Sequence, residues 1–509
     1  MASGKDRLSD LPTKEAARAA VLSRRWRRTF ADVDAVSFVD PEPPIYGYSR
    51  DFAFVKQSEE KRSRSGDLIS DVNAALLCRR RCAGHRDTAP PRFFRVHLSR
   101  YHCWDDAMLS QWLRYLLKPQ GTGQQEALTH LDLRIEATVL GEHLVDEPED
   151  DDDAVGWECP AQIPYVPYGE DPHTWPRYTL PTRLFSAAAV RTLCLGGCML
   201  LDPPKLIHLP LLETLLLSTI SNYAARGDTI QRIISACPRL VDLTLECCRY
   251  TEKSDPGLDT TYTIAVLDKH LRRLAIRCCH SLVRVCIDAS ELRVFEYRGA
   301  VPAESFLTLH SAHNISSCTI GFCGKMVYHK EFPRLRKFLE HFTATEHLDL
   351  VSTYLGAGIE SESFPGFPLF QNLRRLELTG YLQRGSIEAM IRILEQAPSI
   401  EFLFLFMKPS YQEKNSCSVL QVHSHELRDQ VRVPDVSIPC LRNRLRQINL
   451  VHYQDHNAQR NVAKLLLCNA MVLERLCVVL PRGPRELQTK LMNEIKGWVV
   501  NMSANMIFL

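Results

Sequence analysis

The sequence predicts an α/β fold in which short parallel strands, separated by helices and irregular segments, stack one after another as a solenoid. Three observations support this prediction. An apolar six-residue template recurs along nearly the whole chain, its copies follow one another at similar intervals, and helical patterns between the copies end at proline. The length of 509 residues agrees with it, because single hydrophobic cores stop growing at roughly 250–300 residues.

The template is Φ-x-x-Φ-x-Φ, where Φ is an apolar residue. In its last three positions the two apolar side chains point to one face of a strand, and the residue between them points to the other. From Leu193 to Leu403 the fourth residue recurs at intervals of 21 to 31 residues, close to the roughly 20–29 residues of a leucine-rich repeat. Clear copies are LTHLDL (128–133), VRTLCL (190–195), LETLLL (212–217), LVDLTL (240–245), LRRLAI (271–276), LRVFEY (292–297), LRRLEL (373–378), IEFLFL (400–405) and LRQINL (445–450).

A repeat with one apolar face cannot bury that face alone, so successive repeats must stack. We therefore predict a leucine-rich-repeat solenoid: a curved parallel β-sheet with helices and irregular segments on its convex side. DTIQRIISACP (228–238) and GSIEAMIRILEQAP (385–398) have helical periodicity and end at proline, because the residue before proline avoids helical backbone. LVRVCI (282–287) is interpreted as an extended element on the convex side.

Two stretches interrupt the repeats. Residues 141–181 contain the acidic run EDDDD and seven prolines, which predicts a loop. Residues 408–439 are polar and predict a linker. The predicted organisation is a short N-terminal segment (1–30), the solenoid (31–407) with its acidic loop, the linker, and a C-terminal segment (440–509).

Composition excludes several classes of protein. With 45% hydrophobic and 24% charged residues the chain can form a large core, and its formal net charge of +2 provides no field for nucleic acid or an anionic membrane. The basic run RRWRR (24–28) is interpreted as a solvated helix end around one buried Trp. The N-terminus has no secretory pattern and no apolar run reaches membrane length, so we expect an intracellular protein of the nucleus, the cytoplasm or both.

The sequence contains no motif that predicts catalysis, such as HExxH, a phosphate loop or a nucleophile elbow. The cysteine pairs Cys78/Cys82 and Cys194/Cys198 lack the second pair that a zinc site needs. Two cysteine doublets, Cys247-Cys248 after LVDLTLE and Cys278-Cys279 after LRRLAIR, are interpreted as small buried hydrophobic residues. We therefore expect no enzyme activity, no cofactor and no metal.

The N-terminal residues DRLSDLP (6–12) and TKEAARAAVLSRRWRR (13–28) resemble a plant F-box. The resemblance implies a small all-α segment that docks on an adaptor subunit through an apolar surface; the matching residues are Leu8, Leu11, Pro12, Val21, Leu22 and Trp26. The family usually carries a further apolar helix between the two parts, whereas here Leu11-Pro12 leads straight into Thr13. A truncated F-box of this kind implies weakened or lost docking.

The C-terminal residues from SIPCLRN to NMIFL resemble the FBD segment that follows the repeats in many plant F-box proteins. Their pattern predicts two strands, each followed by a helix. The first helix should bury Val462, Leu465 and Leu466, and the second Leu487, Leu491, Ile495 and Trp498. With one polar and one apolar face, this segment is suited to cap a solenoid.

The outward residue between the two apolar positions of each strand is the candidate contact with a partner. The candidate substrate-facing residues of this concave surface are Asp132, Cys194, Leu216, Thr244, Glu296, Asp349, Glu377, Phe404 and Asn449; Ala275, Thr319 and Cys477 occupy the same position of the template. Among them Leu216 and Phe404 are plausible apolar anchors.

The resemblance to F-box/FBD/LRR-repeat proteins implies a substrate-recognition adaptor of an SCF-type cullin-RING ubiquitin ligase. Its expected partners are an SKP-type adaptor subunit and a protein substrate held by the repeats. The alternative is a leucine-rich-repeat binding module that no longer docks on a ligase because its F-box is incomplete. A small-molecule receptor is less well supported, since no ligand pocket is marked in the sequence.

Overall fold

The structure is a computed structural model of the chain. It describes residues 13, 15, 33–39, 66–79, 90–101, 105–117, 128–137, 178–200, 206–222, 229–250, 262–267, 270–311, 314–323, 327–382, 385–408, 437–454, 456–480 and 483–509. The chain divides into two compact units. Unit 1 consists of Met1–Glu147, Pro160–Leu271 and Cys279–Val285, and unit 2 of Pro148–Cys159, Arg272–Cys278 and Cys286–Leu509.

Unit 1 is built on a parallel sheet of short strands. In chain order its strands are β1 (Ala35–Val39), β2 (Phe93–Tyr101), β3 (His130–Ala137), β4 (Tyr178–Thr179), β5 (Thr192–Gly196), β6 (Cys198–Leu200), β7 (Thr214–Ser218), β8 (Ser221–Asn222), β9 (Asp242–Glu246), β10 (Arg249–Tyr250) and β11 (Tyr262–Val266). The main sheet of the unit has the order β1-β2-β3-β5-β7-β9, and β4, β6, β8 and β10 form a second layer. Each main strand buries the two apolar residues of its template.

Helices lie between the strands of unit 1 along the chain. They are α1 (66–79), α2 (Asp106–Leu116) and α3 (Thr229–Ser235), with a short 3-10 helix at Thr182–Ser186. Helix α2 buries Leu109, Trp112, Leu113 and Leu116, and the indole N–H of Trp112 donates to Asn73 Oδ1 of α1 over 2.6 Å. Helix α3 buries Ile230, Ile233 and Ile234. These side chains form one face of each helix; Trp112 of α2 packs against Phe94 of β2, and α3 contacts β11.

Unit 2 repeats the same architecture of short strands with helices between them. Its strands are β12 (Arg273–Arg277), β14 (Val294–Gly299), β15 (Leu307–His310), β16 (Ser317–Phe322), β17 (His347–Tyr354), β18 (Arg375–Tyr381), β19 (Phe402–Met407), β20 (Gln447–Val451), β21 (Arg475–Val478) and β22 (Asn505–Phe508), while β13 (Leu282–Asp288) begins in unit 1 and ends in unit 2. The main sheet of unit 2 runs β12-β14-β16-β17-β18-β19-β20-β21-β22, and the pairs within it are parallel.

The helices of unit 2 are α4 (Phe332–Glu340), α5 (Ser386–Glu395), α6 (Pro439–Asn443), α7 (Asn457–Asn469) and α8 (Arg485–Trp498), with a 3-10 turn at His329–Glu331. Helix α5 packs on α7, and α7 packs on α8. The aromatic residues Phe295, Phe338 and Phe342 fill the core between β14 and α4, with the rings of Phe295 and Phe342 stacked at 4.8 Å between centroids. In unit 2 the helices therefore contact one another as well as the sheet.

A left-handed turn ends several main strands. The backbone angle φ is positive at Gly197 after β5, Thr219 after β7 and Cys247 after β9 in unit 1, and at Cys278 after β12 and His452 after β20 in unit 2. A side chain at Gly197 is impossible without movement, because a Cβ atom there would lie 1.5 Å from the carbonyl oxygen of Ile135. The turn takes the chain off the sheet and, in unit 1, into the short strands of the second layer.

The predicted fold class is confirmed: the template copies form strands of parallel sheets, with helices between them. The helical patterns 228–238 and 385–398 become α3 and α5, and both stop before the proline. LVRVCI is strand β13, as predicted. Helices α1, α2, α4 and α6, the second layer of short strands, and strands β11, β15 and β22 were not predicted.

The C-terminal segment adds strands β20, β21 and β22 to the sheet of unit 2, in register with β19. Helix α7 buries Val462, Leu465 and Leu466 as predicted, but α8 buries only Leu491 and Ile495, while Leu487 and Trp498 are partly exposed. The segment continues the repeat architecture of unit 2, and its role as a cap stays a prediction.

Of the predicted loop at 141–181, the part up to Arg177 lies outside the described residues, and its last residues include β4. Most of the predicted linker also lies outside them, up to Val436. Among the described residues, no helix is long and apolar enough to cross a lipid bilayer. Nuclear or cytoplasmic location stays a prediction.

Candidate functional site: outward residue rows of the two sheets

The outward residues predicted from the template stand side by side on each sheet. In unit 1 the strand register aligns Ser37, Arg95, Asp132, Cys194, Leu216 and Thr244. In unit 2 it aligns Ala275, Glu296, Thr319, Asp349, Glu377, Phe404, Asn449, Cys477 and Ile507. We call these the unit 1 row and the unit 2 row. Each is continuous because parallel strands in register place equivalent residues about 4.8 Å apart.

Several members of the rows are less accessible than the template suggests. Asp132, Cys194, Thr244, Glu296 and Asn449 are buried, whereas Leu216, Asp349, Glu377 and Phe404 are partly exposed. Arginine and histidine side chains of the same and the preceding strand contact the carboxylates of Asp132 and Glu296. The direct contact of the buried residues with a partner therefore stays a prediction, and the more accessible groups are those neighbours.

Asp132 in unit 1 is surrounded by three nitrogen-bearing side chains. Its carboxylate lies 3.1 Å from Arg95 Nε, 3.1 Å from His97 Nε2 and 2.9 Å from Arg134 Nε. Burial would raise the pKa of Asp132, but the hydrogen bonds and charges of His97 and Arg134 outweigh it and lower the pKa. We call Arg95, His97 and Arg134 the unit 1 cation cluster.

Glu296 in unit 2 has the same kind of surroundings. Its carboxylate accepts two hydrogen bonds of 2.7 Å from the guanidinium of Arg277, and it lies 3.2 Å from Arg298 Nε and 3.7 Å from a terminal nitrogen of Arg273. Burial would raise the pKa of Glu296, but Arg277 first, then Arg298 and Arg273, lower it. We call these three arginines the unit 2 cation cluster.

Asp349 occupies the equivalent outward position on β17 but has no ion-pair partner among the described residues. Burial and the neighbouring carboxylate of Glu377 raise its pKa to about 6, although Arg298 and Arg375 oppose this rise. Glu377 itself pairs with Arg375 at 2.7 Å. Asp349 is therefore the least compensated acid of the unit 2 row.

An aromatic strip lies beside these acids. Strand β19 presents Phe402, Phe404 and Phe406 outward, each partly exposed, while Leu403, Leu405 and Met407 point into the core. The guanidinium of Arg375 lies 4.2 Å from the centre of the Phe404 ring, a cation–π contact. Of these three residues only Phe404 was predicted from the sequence, and the alternation in FLFLFM was the signal for the other two.

The cysteines near the rows are buried thiols. Burial raises the pKa of Cys194 to about 11 and that of Cys198 to about 12. Both stay protonated at neutral pH, and a protonated thiol is a poor metal ligand. The doublets Cys247-Cys248 and Cys278-Cys279 are also buried, as predicted for packing residues.

The predicted adaptor-binding residues Leu8, Leu11, Pro12, Val21, Leu22 and Trp26 lie outside the described residues. Thr13, from the same F-box-like segment, is described and nearly fully buried. Its hydroxyl oxygen accepts a hydrogen bond of 2.9 Å from the backbone N–H of Ser37 in β1, the edge strand of the unit 1 sheet. This bond satisfies a backbone donor that the sheet edge leaves unpaired.

Repeated strands with aligned outward residues define each unit as a leucine-rich-repeat module. Comparison with known proteins agrees: a family model described as FBD-associated F-box protein At5g56370, LRR repeats, matches residues 170–298. The chain is 23% identical over 314 residues to the FBD-associated F-box protein At5g38590 and 24% identical over 299 residues to the F-box/FBD/LRR-repeat protein At4g26340, both of Arabidopsis thaliana.

A third relative, the putative F-box protein At3g58960 of Arabidopsis thaliana, is 22% identical over 239 residues. The matches cover 59%, 58% and 45% of this chain and 65%, 63% and 50% of the three relatives, so the chain spans between half and about two thirds of their length. The resemblance to plant F-box/FBD/LRR-repeat proteins is confirmed.

Proposed function

We propose that the protein is a substrate-recognition adaptor of an SCF-type cullin-RING ubiquitin ligase. The observation that carries this proposal is the pair of continuous outward rows, which offer extended protein-binding surfaces, in a chain whose relatives are named F-box proteins. The F-box-like segment would hold an SKP-type adaptor subunit, and the repeats would hold a protein substrate. No residue of this chain would react, because the adaptor acts by raising the effective concentration of its partner.

The test is capture of an SKP-type adaptor subunit by the full chain. We expect the intact chain to retain the subunit and the double substitution Leu22→Ala/Trp26→Ala to lose it. The matched control is Phe404→Ala, which changes the unit 2 row and should leave capture unchanged. A third form restores the apolar helix that the family usually carries between the two parts of the F-box. Capture by that restored form alone would refute the proposal for this chain.

A second candidate is a binding module without ligase docking, and the bond from Ser37 to Thr13 favours it. In this case the N-terminal segment completes the edge of unit 1 instead of presenting an adaptor surface. Thr13→Val keeps the shape of the side chain and removes its hydroxyl group. The second candidate predicts a lower midpoint of urea unfolding for this variant and no adaptor capture by the unchanged chain.

A further inference from the structure

Two cysteine side chains of unit 2 meet at the end of its main sheet. The sulfur atoms of Cys278 and Cys323 lie 3.4 Å apart, although the two residues are 45 positions apart in the sequence. Cys278 directly follows strand β12, and Cys323 directly follows strand β16. This spacing matches none of the short sequence motifs that mark metal sites, so the pair is visible only in the folded chain.

The backbone fixes both cysteines against the end of the strand between them. In the sheet order, β14 lies between β12 and β16. The N–H of Cys278 donates to the carbonyl oxygen of Arg298 over 2.5 Å, and the N–H of Cys323 donates to that of Gly299 over 2.8 Å. Arg298 and Gly299 are the last two residues of β14. The two thiols therefore approach each other from opposite sides of one strand end.

This placement does not suit a disulfide bond. Neighbouring strands are about 4.8 Å apart, so strands with a third strand between them lie roughly twice as far apart. A disulfide needs Cα atoms within about 6.8 Å and sulfur atoms about 2.05 Å apart. Its formation would therefore pull the ends of β12 and β16 together, whereas an ion between the two sulfur atoms bridges them with less movement of the backbone.

The separation of the sulfur atoms fits two ligands of one thiophilic ion. Metal–thiolate bonds are about 2.3 Å long, so two sulfur atoms on one ion lie at most about 4.6 Å apart. At 3.4 Å such bonds form a bent arrangement, with the ion to one side of the sulfur atoms. Cys278 is 4% exposed and Cys323 is partly exposed, so one ligand is shielded from water while the other leaves an entry path.

The number and softness of the ligands select the metal. Thiolates are soft ligands that favour copper(I) and zinc over harder cations. Zinc sites use three or four protein ligands, more than the two thiolates of this pair. Copper(I) carries a single charge and forms stable complexes with two soft sulfur ligands. The pair therefore suits copper(I) better than zinc.

We propose that Cys278 and Cys323 bind one copper(I) ion. The proposal goes beyond the proposed function and does not rest on it. Each thiol releases one proton to solvent and each sulfur atom donates an electron pair, so that Cu⁺ and two thiols give a bis-thiolate complex of charge −1 and two protons. Neither copper nor sulfur changes its oxidation state. The bound ion ties the end of β12 to the end of β16 and thereby stabilises unit 2.

The experiment measures the copper(I) affinity of the full, reduced chain in the absence of oxygen. Copper(I) is supplied as its coloured complex with an excess of bicinchoninate, which loses its colour when the protein removes the ion. We expect the parent chain to take the ion from this competitor, and X-ray absorption at the copper edge to show sulfur neighbours. A parent chain that leaves all the copper with bicinchoninate overturns the proposal.

Three substitutions and one matched control locate the ion. Cys278→Ser and Cys323→Ser should each weaken the tightest site at least about hundredfold, since loss of a ligand costs more than the roughly 10–100-fold of an outer-shell change. His280→Ala removes an imidazole two residues after Cys278 in the sequence and should weaken it less, because imidazole is less soft than thiolate. The control Cys286→Ser changes a partly exposed cysteine of unit 2 that lies 3.5 Å from His310 Nε2, and should leave the affinity unchanged.

Tight binding that survives either serine substitution, or that is lost in Cys286→Ser, overturns the proposal. Urea unfolding separates loss of the ligand from loss of the fold. One equivalent of copper(I) should raise the urea midpoint of the parent chain, because an ion that binds the folded state stabilises it, and should not raise that of Cys323→Ser. Cys323 is the more exposed cysteine of the pair, so its serine variant is the one expected to fold like the parent. A rise of equal size in this variant, or an equal rise of the parent midpoint with zinc(II), contradicts a copper(I) site at this pair.

Discussion

The outward rows of unit 1 and unit 2 differ in the side chains that surround their acidic residues. Asp132 in unit 1 and Glu296 in unit 2 are each enclosed by three nitrogen-bearing side chains, and the pKa of each is lowered. Asp349 in unit 2 stands at the same position of the template, yet its pKa is raised to about 6. The difference teaches that the side chains on neighbouring strands, and not the position in the repeat, decide the charge state of an outward acid.

The left-handed turns that end the strands also differ from one another in the residue that occupies them. Unit 1 has a glycine at Gly197, where the backbone of β3 leaves no room for a Cβ atom. Unit 2 has His452 at an equivalent turn after β20, with φ of 60° and an exposed side chain. The same left-handed conformation is thus required by close packing at Gly197 and adopted with strain by non-glycine residues, at His452 as well as at Thr219 and Cys247 of unit 1.

The largest effect is expected for the substitution Gly197→Ala in unit 1. The new Cβ atom would meet the Ile135 carbonyl oxygen at 1.5 Å, and φ of 64° is unfavourable for alanine. We expect a loss of about 3–5 kcal/mol in the free energy of unfolding, from overpacking and backbone strain together. Urea unfolding followed by circular dichroism measures it.

The control for this substitution is Gly366→Ala in unit 2. Gly366 also has a positive φ, of 97°, but a Cβ atom there would meet nothing within 4 Å. The variant Gly366→Ala should therefore lose only about 1 kcal/mol of the free energy of unfolding, from the unfavourable backbone conformation alone. Similar losses in the two variants would show that the contact with β3 does not matter.

The second largest effect on stability is expected for Asp132→Asn and Glu296→Gln, which remove the carboxylate that each cation cluster surrounds. At pH 7 we expect each to lower the free energy of unfolding by about 2 kcal/mol, less than for a fully buried pair because the cations are half exposed. Because the pKa of each carboxyl is lowered by folding, its stabilisation is present above the ordinary pKa and disappears as the pH falls through the folded-state pKa.

Unfolding measured between pH 2 and pH 7 checks this prediction. The difference between the parent chain and each variant should be complete above about pH 5 and shrink steadily below pH 4. A difference that does not depend on pH would assign the effect to lost packing instead of lost charge.

A smaller effect of opposite sign is expected for Asp349→Asn. Folding raises the pKa of Asp349 to about 6, so the folded chain favours the protonated form of this carboxyl group. That stability is fully present below the unfolded-state pKa near 4 and is lost as the pH rises through about 6. The variant should be more stable than the parent by about 1 kcal/mol at pH 7.5 and equal to it at pH 3.5.

Thermal unfolding at these two pH values is the measurement, with Glu474→Gln as the control. Glu474 is exposed and pairs with Arg446, so its substitution should change little at either pH. Destabilisation by Asp349→Asn at pH 7.5 would mean that Asp349 has a stabilising partner in the folded chain.

The smallest effect is expected for His452→Gly in unit 2. Glycine relieves the positive φ of this exposed residue, while its greater freedom in the unfolded chain offsets part of the gain. We expect a net stabilisation of about 0.5 kcal/mol, measured as a shift of the urea midpoint. A loss of stability would contradict the idea that this turn stores strain in unit 2.

The sequence by itself determined the strands that carry the clear template copies, the helices that end before Pro238 and Pro398, and the outward positions of those strands. It could do so because the two-residue period of a strand and the single apolar face of a repeat are local properties of the chain. The helices α1, α2 and α4 were missed because they lie between weak or irregular template copies, where no interval between repeats marks them.

Only the tertiary structure decided which outward residues are accessible and charged. Arg95, His97, Arg273 and Arg277 act on acids of a different strand, far away in sequence, so their grouping depends on the register between strands. The charge state of Asp349 also depends on the tertiary structure, because its raised pKa comes from burial and from Glu377 on β18. The repeat pattern fixes where a side chain points, but its neighbours across the sheet fix its charge, because electrostatic energies depend on distances in space.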